Sequence, residues 1–347
     1  MNKSEKIKLG ISIGDFNGIG IEVILKTFFD KRMLDFCTPI IFGSTKLISA
    51  YKKSININAP FNGIKYADKA LSGKINILNV WNEDVELDLG NPSEDSGKYA
   101  FKSLEAATNA LVKNEIDVLV TAPINKDNIQ SEIFKFPGHT EYLESKMEGE
   151  SLMILMTENL RIGLITGHIP VSKVSEEITP ELINKKVGII HKTLVEDFAI
   201  TKPKIAILGL NPHCGDNGVI GNEDKDVIVP TINDIQEKGK LVYGPYAADS
   251  FFGSDSYKQF DAILAMYHDQ GLAPFKTLSF GEGVNFTAGL NKVRTSPDHG
   301  TAYEIAGKDK ANINSFKEAV FSAIKIYKTR KEYNSLTENT LKKGVRF

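Results

Sequence analysis

One stretch decides the fold class: Asp261-Ala-Ile-Leu-Ala-Met-Tyr-His-Asp-Gln-Gly271. Its apolar run is too short to span a membrane and ends in polar turn residues, which is typical of a strand buried on both faces in a parallel sheet. Ligands of open α/β sheets bind beyond the carboxyl ends of their strands. We therefore expect His268 and Asp269 to lie at a functional edge of the sheet.

Two other apolar runs also end in histidine, Arg161–His168 and Lys204–His213. Neutral imidazole is the commonest metal ligand, and a catalytic metal site uses about three protein ligands. Each histidine alone could simply cap a strand, but three at equivalent strand exits favour a metal site that the fold assembles. Such a set suits zinc, cobalt, nickel or iron, and a nearby carboxylate, Asp249 or Asp269, would admit manganese or magnesium.

The composition narrows the class of protein. The 347 residues carry a net charge of −2 and no long basic run, so the electrostatic footprint of a nucleic-acid binder is missing. No apolar stretch reaches a membrane-spanning length, and the N-terminal residues lack a sustained apolar region. Only two cysteines are present, which fits a reducing compartment. We expect a cytoplasmic enzyme without a nucleic-acid or membrane partner.

Strand-like and helix-like segments alternate along most of the chain, which predicts α/β layers with a largely parallel sheet. The segment 151–165 interrupts the alternation, because two apolar runs flank Thr157-Glu-Asn-Leu160 in the manner of a hairpin. This interruption suggests a second domain inserted in the middle of the first. The predicted strands are 7–13, 38–43, 74–80, 116–120 and 204–210, and the predicted helices are 20–29, 97–113, 180–198 and 315–327.

Polar residues with more than one interpretation lie at predicted strand ends. The turn Gly14-Asp-Phe-Asn-Gly-Ile-Gly20 could cradle an anion or could only let strand and helix approach, and it matches neither the Rossmann nor the P-loop pattern. Lys126 could bind an anion or be solvated. Thr140 is a predicted helix N-cap at a start that favours anions, with a purely structural cap as the alternative.

Three residues of the last third of the chain suit an anionic substrate. Lys276, Asn285 and Arg294 bracket one segment, and arginine in particular binds phosphate or carboxylate through its bidentate fork. Exposed surface charge is the alternative interpretation of the two cations.

Taken together, these segments resemble one family, the 4-hydroxythreonine-4-phosphate dehydrogenases of pyridoxal phosphate biosynthesis. The residues that carry the resemblance are Gly14–Glu22, Thr121–Lys126, Gly138–Glu141, Asn211–His213, Tyr267–Gly271 and Arg294–Ala302. A wider similarity extends to isocitrate and isopropylmalate dehydrogenases, which bind NAD without a Rossmann fingerprint. It is carried by His299-Gly-Thr-Ala302, Ala306-Gly307 and Asn312.

The resemblance implies a two-domain α/β fold like that of isocitrate and isopropylmalate dehydrogenases, with mostly parallel sheets and the active site in the interdomain cleft. It implies a first domain of 1–132 plus 288–347 on the nucleotide side, and a second domain of 133–287 with the metal ligands and the dimer contact. The protein would be a homodimer whose metal site is shared between the subunits.

The resemblance also implies roles for single residues. The metal (Zn, Mg, Mn or Co) would be held by His168, His213 and His268. The substrate would be held by His139, Thr140, Lys276, Asn285 and Arg294. The NAD or NADP would be held by His299, Gly300 and Asn312, and the candidates for the proton acceptor are Lys276 and Asp249.

The implied reaction is oxidation of 4-phosphohydroxy-L-threonine to a 3-keto acid that decarboxylates to 3-amino-2-oxopropyl phosphate. The chain departs from the family pattern at Phe16-Asn17, Cys214, Asp216, Asn291 and Pro297. These departures leave a second substrate class open, a phosphorylated threonate or erythronate. A phosphate acyltransferase is the alternative from another class, since fold alone does not decide function; it would need neither the histidines nor the Asn312 segment.

Overall fold

Strands and helices alternate in the computed structural model, which describes residues 6–339, and the predicted α/β class is confirmed. The strands in chain order are β1 (Ile7–Ser12), β2 (Cys37–Gly43), β3 (Phe61–Ile64), β4 (Ile75–Asn79), β5 (Val118–Thr121), β6 (Gly149–Met156), β7 (Arg161–Leu164), β8 (Ile205–Leu208), β9 (Val242–Tyr246), β10 (Ala262–Ala265), β11 (Val284–Leu290) and β12 (Val293–Pro297).

The α-helices were predicted in part. They are α1 (Gly20–Phe29), α2 (Met33–Phe36), α3 (Thr45–Ser54), α4 (Glu94–Val112), α5 (His139–Glu144), α6 (Val174–Glu177), α7 (Pro180–Glu196), α8 (Val229–Glu237), α9 (Ala248–Gly253), α10 (His268–Ser279) and α11 (Asn314–Thr337). Within the described residues, no helix is both long and apolar enough to cross a membrane.

The chain divides into two units. Unit 1 comprises Met1–Ile162 and His268–Ile324, and unit 2 comprises Gly163–Tyr267 and Lys325–Phe347. The predicted domains are divided at other residues, and their boundaries stay a prediction.

The sheet of unit 1 has the strand order β3-β4-β2-β1-β5-β12-β11-β6. Its centre is parallel, because β1 pairs in parallel with β2 and β5, and β12 pairs in parallel with β5. Every residue of β2 and β5 is buried, as expected of parallel strands covered on both faces. The parallel direction brings the carboxyl ends of β1, β5 and β12 to one edge, where three polar loops follow.

Unit 2 contains a smaller set of strands in the order β7-β10-β8-β9, in which β8 pairs in parallel with β10 and β9. The predicted strand within 261–266 is confirmed as β10, and all four of its residues are buried. Its main helix α7 begins as the sequence indicates, since Thr179 Oγ1 accepts the backbone N–H of Leu182 and Pro180 occupies the first turn.

Two predicted helices are longer than expected. Helix α4 begins at Glu94 because Ser93 and Ser96 form a reciprocal capping box there, a signal that the apolar periodicity alone does not carry. Helix α11 continues to Thr337, ten residues beyond the predicted end. The predicted hairpin is consistent with the backbone bond from Thr157 N–H to Leu160 O, 2.9 Å, between β6 and β7.

Candidate active site

A buried arginine lies at the centre of the candidate site in unit 1. Arg294 on β12 is only 2% exposed. Its Nε and Nη2 donate to Thr121 Oγ1 on β5 at 3.1 and 2.6 Å, and its Nη1 donates to Thr287 Oγ1 on β11 at 3.0 Å. Burial lowers the pKa of Arg294 to about 9, and the nearby Glu141 partly offsets this change. A cation fixed by two neutral hydroxyls in this way is suited to an anionic ligand.

His139 is the second member of this group. Its Nε2 is buried and has no hydrogen-bond partner among residues 6–339. Burial, followed by the charges of Arg294 and Lys126, lowers the pKa of His139 well below 6.5, so the ring is neutral at pH 7. An orphaned buried nitrogen costs free energy unless a ligand satisfies it. His139 therefore lies close enough to Arg294 to sense its charge and has a ring nitrogen available for a ligand.

Helix α5 positions His139, although its six residues would be unstable alone. Tyr142 anchors the helix by packing against Phe101 and Phe134, with ring centroids 5.8 and 5.5 Å away. The prediction that Thr140 is the N-cap is wrong. Gly138 holds that position without a side-chain cap bond, and Thr140 lies in the first turn, where it is half-buried.

Asn285 extends the group along β11. It lies two residues before Thr287, so both side chains project from the same face of the strand. Its Oδ1 is buried and has no hydrogen-bond partner in the described part of the chain. Lys126 is exposed, and its Cε would lie 3.8 Å from a Cβ added to Gly138, which places it near the start of α5.

Lys276 on α10 pairs with the carboxylate of Asp298, a contact that the sequence analysis did not predict. Its Nζ lies 3.4 Å from Asp298 Oδ1 and donates to Asp298 O at 3.3 Å. Lys276 is half-exposed, whereas Asp298 is largely buried, and burial raises the pKa of Asp298. Lys276 is thus held by an anion beside the loop that begins with His299.

The residues expected to bind nucleotide lie in two segments of unit 1. His299 Nδ1 is 3.0 Å from Gly300 O, and its Nε2 is buried without a partner among the described residues. Burial lowers the pKa of His299. Gly300 is exposed, and Asn312 Oδ1 accepts the backbone N–H of Asn314 at the start of α11.

The three predicted metal ligands are divided between the units. His168 and His213 are exposed in unit 2. His268 begins α10 in unit 1, and its Nδ1 lies 2.7 Å from Asp269 Oδ1. No group of three or more His, Cys, Asp or Glu side chains that could hold a metal ion occurs within residues 6–339. The shared site therefore stays a prediction.

His213 lies in an unusual loop. The backbone of His213, Cys214, Asp216 and Asn217 is left-handed, with φ between 43° and 56°, a conformation that costs free energy for residues other than glycine. The buried carboxylate of Asp224 fixes the start of this loop by accepting the N–H groups of Leu210 and Asn211. Strain of this kind is typical of functional loops.

Asp249, the other candidate proton acceptor, is exposed in the first turn of α9 in unit 2. Its Oδ1 accepts the N–H of Ser250 at 2.7 Å. Its role as a proton acceptor stays a prediction.

The turn 14–20 is a packing element. The N–H groups of Asp15, Asn17, Gly18 and Ile19 all donate to protein oxygens. Gly14 has φ of +66°, and a Cβ there would lie 2.1 Å from Pro123 O. Because these four backbone donors are already used, the structural interpretation of this turn is favoured over an anion cradle.

A largely parallel sheet that carries a buried guanidinium on β12 and an orphaned amide oxygen on β11, with an orphaned imidazole nitrogen on α5, fits an α/β enzyme that acts on an anionic small molecule. The model of the family described as pyridoxal phosphate biosynthetic protein PdxA matches residues 35–323. The chain belongs to this family, whose dehydrogenase members imply a nicotinamide cofactor.

Similar proteins agree with this assignment. A 4-hydroxythreonine-4-phosphate dehydrogenase of Bacteroides thetaiotaomicron is 48% identical over 98% of this chain and 94% of its own length. The crystal structure of the enzyme of that name from Klebsiella pneumoniae has a TM-score of 0.79 at 30% identity, covering 93% of this chain and 100% of that chain. A relative from Oceanobacillus iheyensis, 36% identical over 94% of this chain and 100% of its own length, carries the name D-threonate 4-phosphate dehydrogenase.

Proposed function

We propose that this protein oxidises 4-phosphohydroxy-L-threonine, with NAD or NADP as acceptor, to a 3-keto acid that decarboxylates to 3-amino-2-oxopropyl phosphate. The observation that carries the proposal is the buried group formed by Arg294, His139 and Asn285 in a chain of the PdxA family. A phosphorylated substrate would supply an anion for the Arg294 guanidinium and an acceptor for its neighbours.

The phosphate would be bound by the fork of Arg294. Thr121 and Thr287 fix the guanidinium through hydrogen bonds within the protein, so little ordering would be needed on binding. His139, neutral at pH 7, can donate from one ring nitrogen, and Asn285 can act through its amide. Lys126 and the half-buried Thr140 add a charge and a hydroxyl near the same helix start.

The nicotinamide cofactor would be held by His299, Gly300 and Asn312. If His299 Nδ1 donates to Gly300 O, the orphaned Nε2 is an acceptor, which suits an amino or hydroxyl donor of an adenosine. Gly300 is exposed, and a Cβ added there would have no atom within 4 Å other than its chain neighbours, so the space beside its Cα is open.

The divalent metal would be held by His168, His213 and His268. The donor set fits, because His268 bonds Asp269 through Nδ1 and would bind metal through Nε2, the usual carboxylate–histidine–metal arrangement. When bound, the metal would make the substrate hydroxyl more acidic and the cofactor would accept the hydride. The two candidates for the acceptor of the hydroxyl proton are Lys276, which lies beside Asp298, and Asp249.

An assay of NAD and NADP reduction tests the function. Purified protein with defined divalent metals is supplied with 4-phosphohydroxythreonine and, separately, with phosphorylated threonate and erythronate. We expect the highest kcat/KM with the first substrate and loss of activity with chelator. Equal or better turnover of the four-carbon acids would transfer the assignment to the second substrate class, and no reduction with any of them would overturn the dehydrogenase proposal.

A complementation experiment tests the homodimer with shared metal ligands. If His168 and His268 of one site come from different subunits, mixed dimers of His168→Ala and His268→Ala contain one intact site. Activity restored on mixing supports sharing, and two variants that stay inactive when mixed contradict it. The two cysteines are unpaired, which accords with the proposed location in the reducing cytoplasm.

A further inference from the structure

The segment Gly14–Glu22, which the proposed chemistry does not use, is connected to both segments proposed to bind nucleotide. All nine of its residues are buried. It follows β1 in unit 1 and includes the first three residues of α1. Its side chains and backbone bond to the loop after β12 and to the residues just before α11, so its role extends beyond a local turn.

Asp15 is the first connection. Its carboxylate is fully buried, and Oδ2 accepts three donors: Tyr303 Oη at 2.8 Å, Asn128 Nδ2 at 2.7 Å and Ser96 Oγ at 2.8 Å. Oδ1 accepts the N–H of Asn17 at 3.0 Å. Tyr303 belongs to the loop that contains His299 and Gly300, so Asp15 fixes that loop to the core.

The backbone makes a second connection to the same loop. The N–H of Ile19 donates to Thr301 O at 2.9 Å. A Cβ on Gly18 would lie 2.6 Å from that oxygen, so only glycine allows this approach. The Thr301 carbonyl is thus fixed one residue from Gly300.

Glu22 connects the segment to the second nucleotide segment. Its side chain is fully buried, and Oε1 accepts the N–H of Ala311 at 3.0 Å and an ion pair from Lys26 at 2.8 Å. Lys26 in turn pairs with Asp309 at 2.7 Å. Glu22 and Lys26 therefore hold the chain on the N-terminal side of Asn312.

We propose that Asp15 and Glu22 are positioning residues for the nicotinamide nucleotide, Asp15 by holding the His299–Tyr303 loop and Glu22 by holding Ala311 beside Asn312. This inference rests on the proposed function. Neither carboxylate need touch the cofactor. Each removes the motion of a loop before binding, and an ordered loop gives tighter binding because less ordering remains to be done.

The variants are chosen to separate positioning from folding. Asp15→Asn keeps the shape of the side chain but has only one acceptor oxygen. That oxygen can accept either the Tyr303 hydroxyl or the Asn17 N–H, and the amide nitrogen would then face the other donor. Tyr303→Phe removes one donor only. Glu22→Leu keeps most of the side-chain volume but cannot accept a hydrogen bond. Glu22→Gln retains a carbonyl oxygen that can accept the Ala311 N–H.

Dissociation constants are measured by calorimetry for NAD and, separately, for inorganic phosphate. Loss of a bond to a charged group predicts about tenfold weaker NAD binding in Asp15→Asn and Glu22→Leu. Tyr303→Phe should weaken NAD binding about threefold, and Glu22→Gln should remain close to wild type. Phosphate binding should be unchanged in all four, because it depends on the Arg294 group.

Asp197→Asn is the matched control. Asp197 is a buried carboxylate of unit 2 that accepts two bonds from Arg330, at 2.6 and 2.9 Å. Its substitution should lower the thermal midpoint as Asp15→Asn does, yet leave NAD affinity unchanged. If NAD affinity falls equally in the control, or is unchanged in Asp15→Asn, Tyr303→Phe and Glu22→Leu, the inference is overturned. A wild-type protein that binds neither NAD nor NADP overturns the proposed function itself.

Discussion

Two regions of the molecule differ in how their candidate ligand-binding residues are packed. Arg294 is buried, and its guanidinium is fixed by hydrogen bonds to Thr121 and Thr287. Of the three predicted metal ligands, His168 and His213 lie in exposed loops and His268 lies half-exposed at the start of α10, and the backbone of His213 is left-handed. The first region is part of the packed sheet, and the second is carried by segments after strands β7, β8 and β10.

This difference indicates where each function depends on folding. Substitutions in the Arg294 group act on packing and on binding together, since the buried charge and its hydroxyl partners are part of the core. Substitutions of exposed histidines should act on chemistry with little change in stability, because few contacts are lost. The predictions below test this contrast in order of expected effect.

The largest effect is expected from His268→Ala. Loss of a metal ligand should lower kcat/KM by about a thousandfold or more and should reduce the bound metal, while the thermal midpoint changes little because the side chain is 37% exposed. Turnover, metal content by mass spectrometry and thermal unfolding are measured on the same preparation.

His191→Ala is the control for this prediction. His191 lies on α7 of unit 2, and no metal role was predicted for it. Its substitution should leave metal content and turnover near wild type. A His268→Ala protein with normal metal content and near-normal turnover would remove the metal assignment and, with it, the contrast between the two regions.

The second effect, about a hundredfold in kcat/KM, is expected from Arg294→Lys, because lysine keeps a charge but loses the bidentate fork. This variant should also unfold at a lower temperature, unlike His268→Ala.

Thr287→Val, which removes one acceptor of the guanidinium, should lower kcat/KM about fivefold. Arg330→Lys removes the fork of an arginine that pairs with Asp197 in unit 2 and should leave kcat/KM unchanged.

A large part of the fold was predictable because, in its central strands and helices, the spacing of apolar residues in the sequence matches the residues that are buried. The strands β1, β2, β4, β5, β8 and β10 and the helices α1 and α7 lie where the apolar runs indicate. Strand β3 was missed because it is short and only one of its four residues is buried, which leaves no clear period. Helix α10 was missed because it follows the strand at once and contains Pro274.

The site was predictable only for residues whose chemistry is conspicuous. His139, Asn285 and Arg294 were expected from the motifs, and the structure gives each a buried polar group. Thr121, Thr287 and Asp298 were missed, since threonine hydroxyls are common in strands and only the pairing of β5, β11 and β12 brings them to the arginine and lysine. The signal in the sequence that could have identified the two threonines was a polar side chain within an otherwise apolar strand.

The smallest effect concerns the pH dependence of stability, and it follows from His139. Its pKa in the folded protein is far below 6.5, so below pH 6.5 the unfolded chain takes up a proton that the folded protein excludes. His139 therefore makes the folded protein less stable as the pH is lowered below 6.5. His139→Gln should show a shallower decline of the thermal midpoint between pH 6.5 and pH 5.

Inorganic phosphate should reduce the decline in the wild type more than in the variant, because an anion beside the ring favours its protonated form. Parallel declines in both proteins, with and without phosphate, would mean that His139 is not held neutral beside an anion site, and the contrast with the exposed histidines would then rest on Arg294 alone.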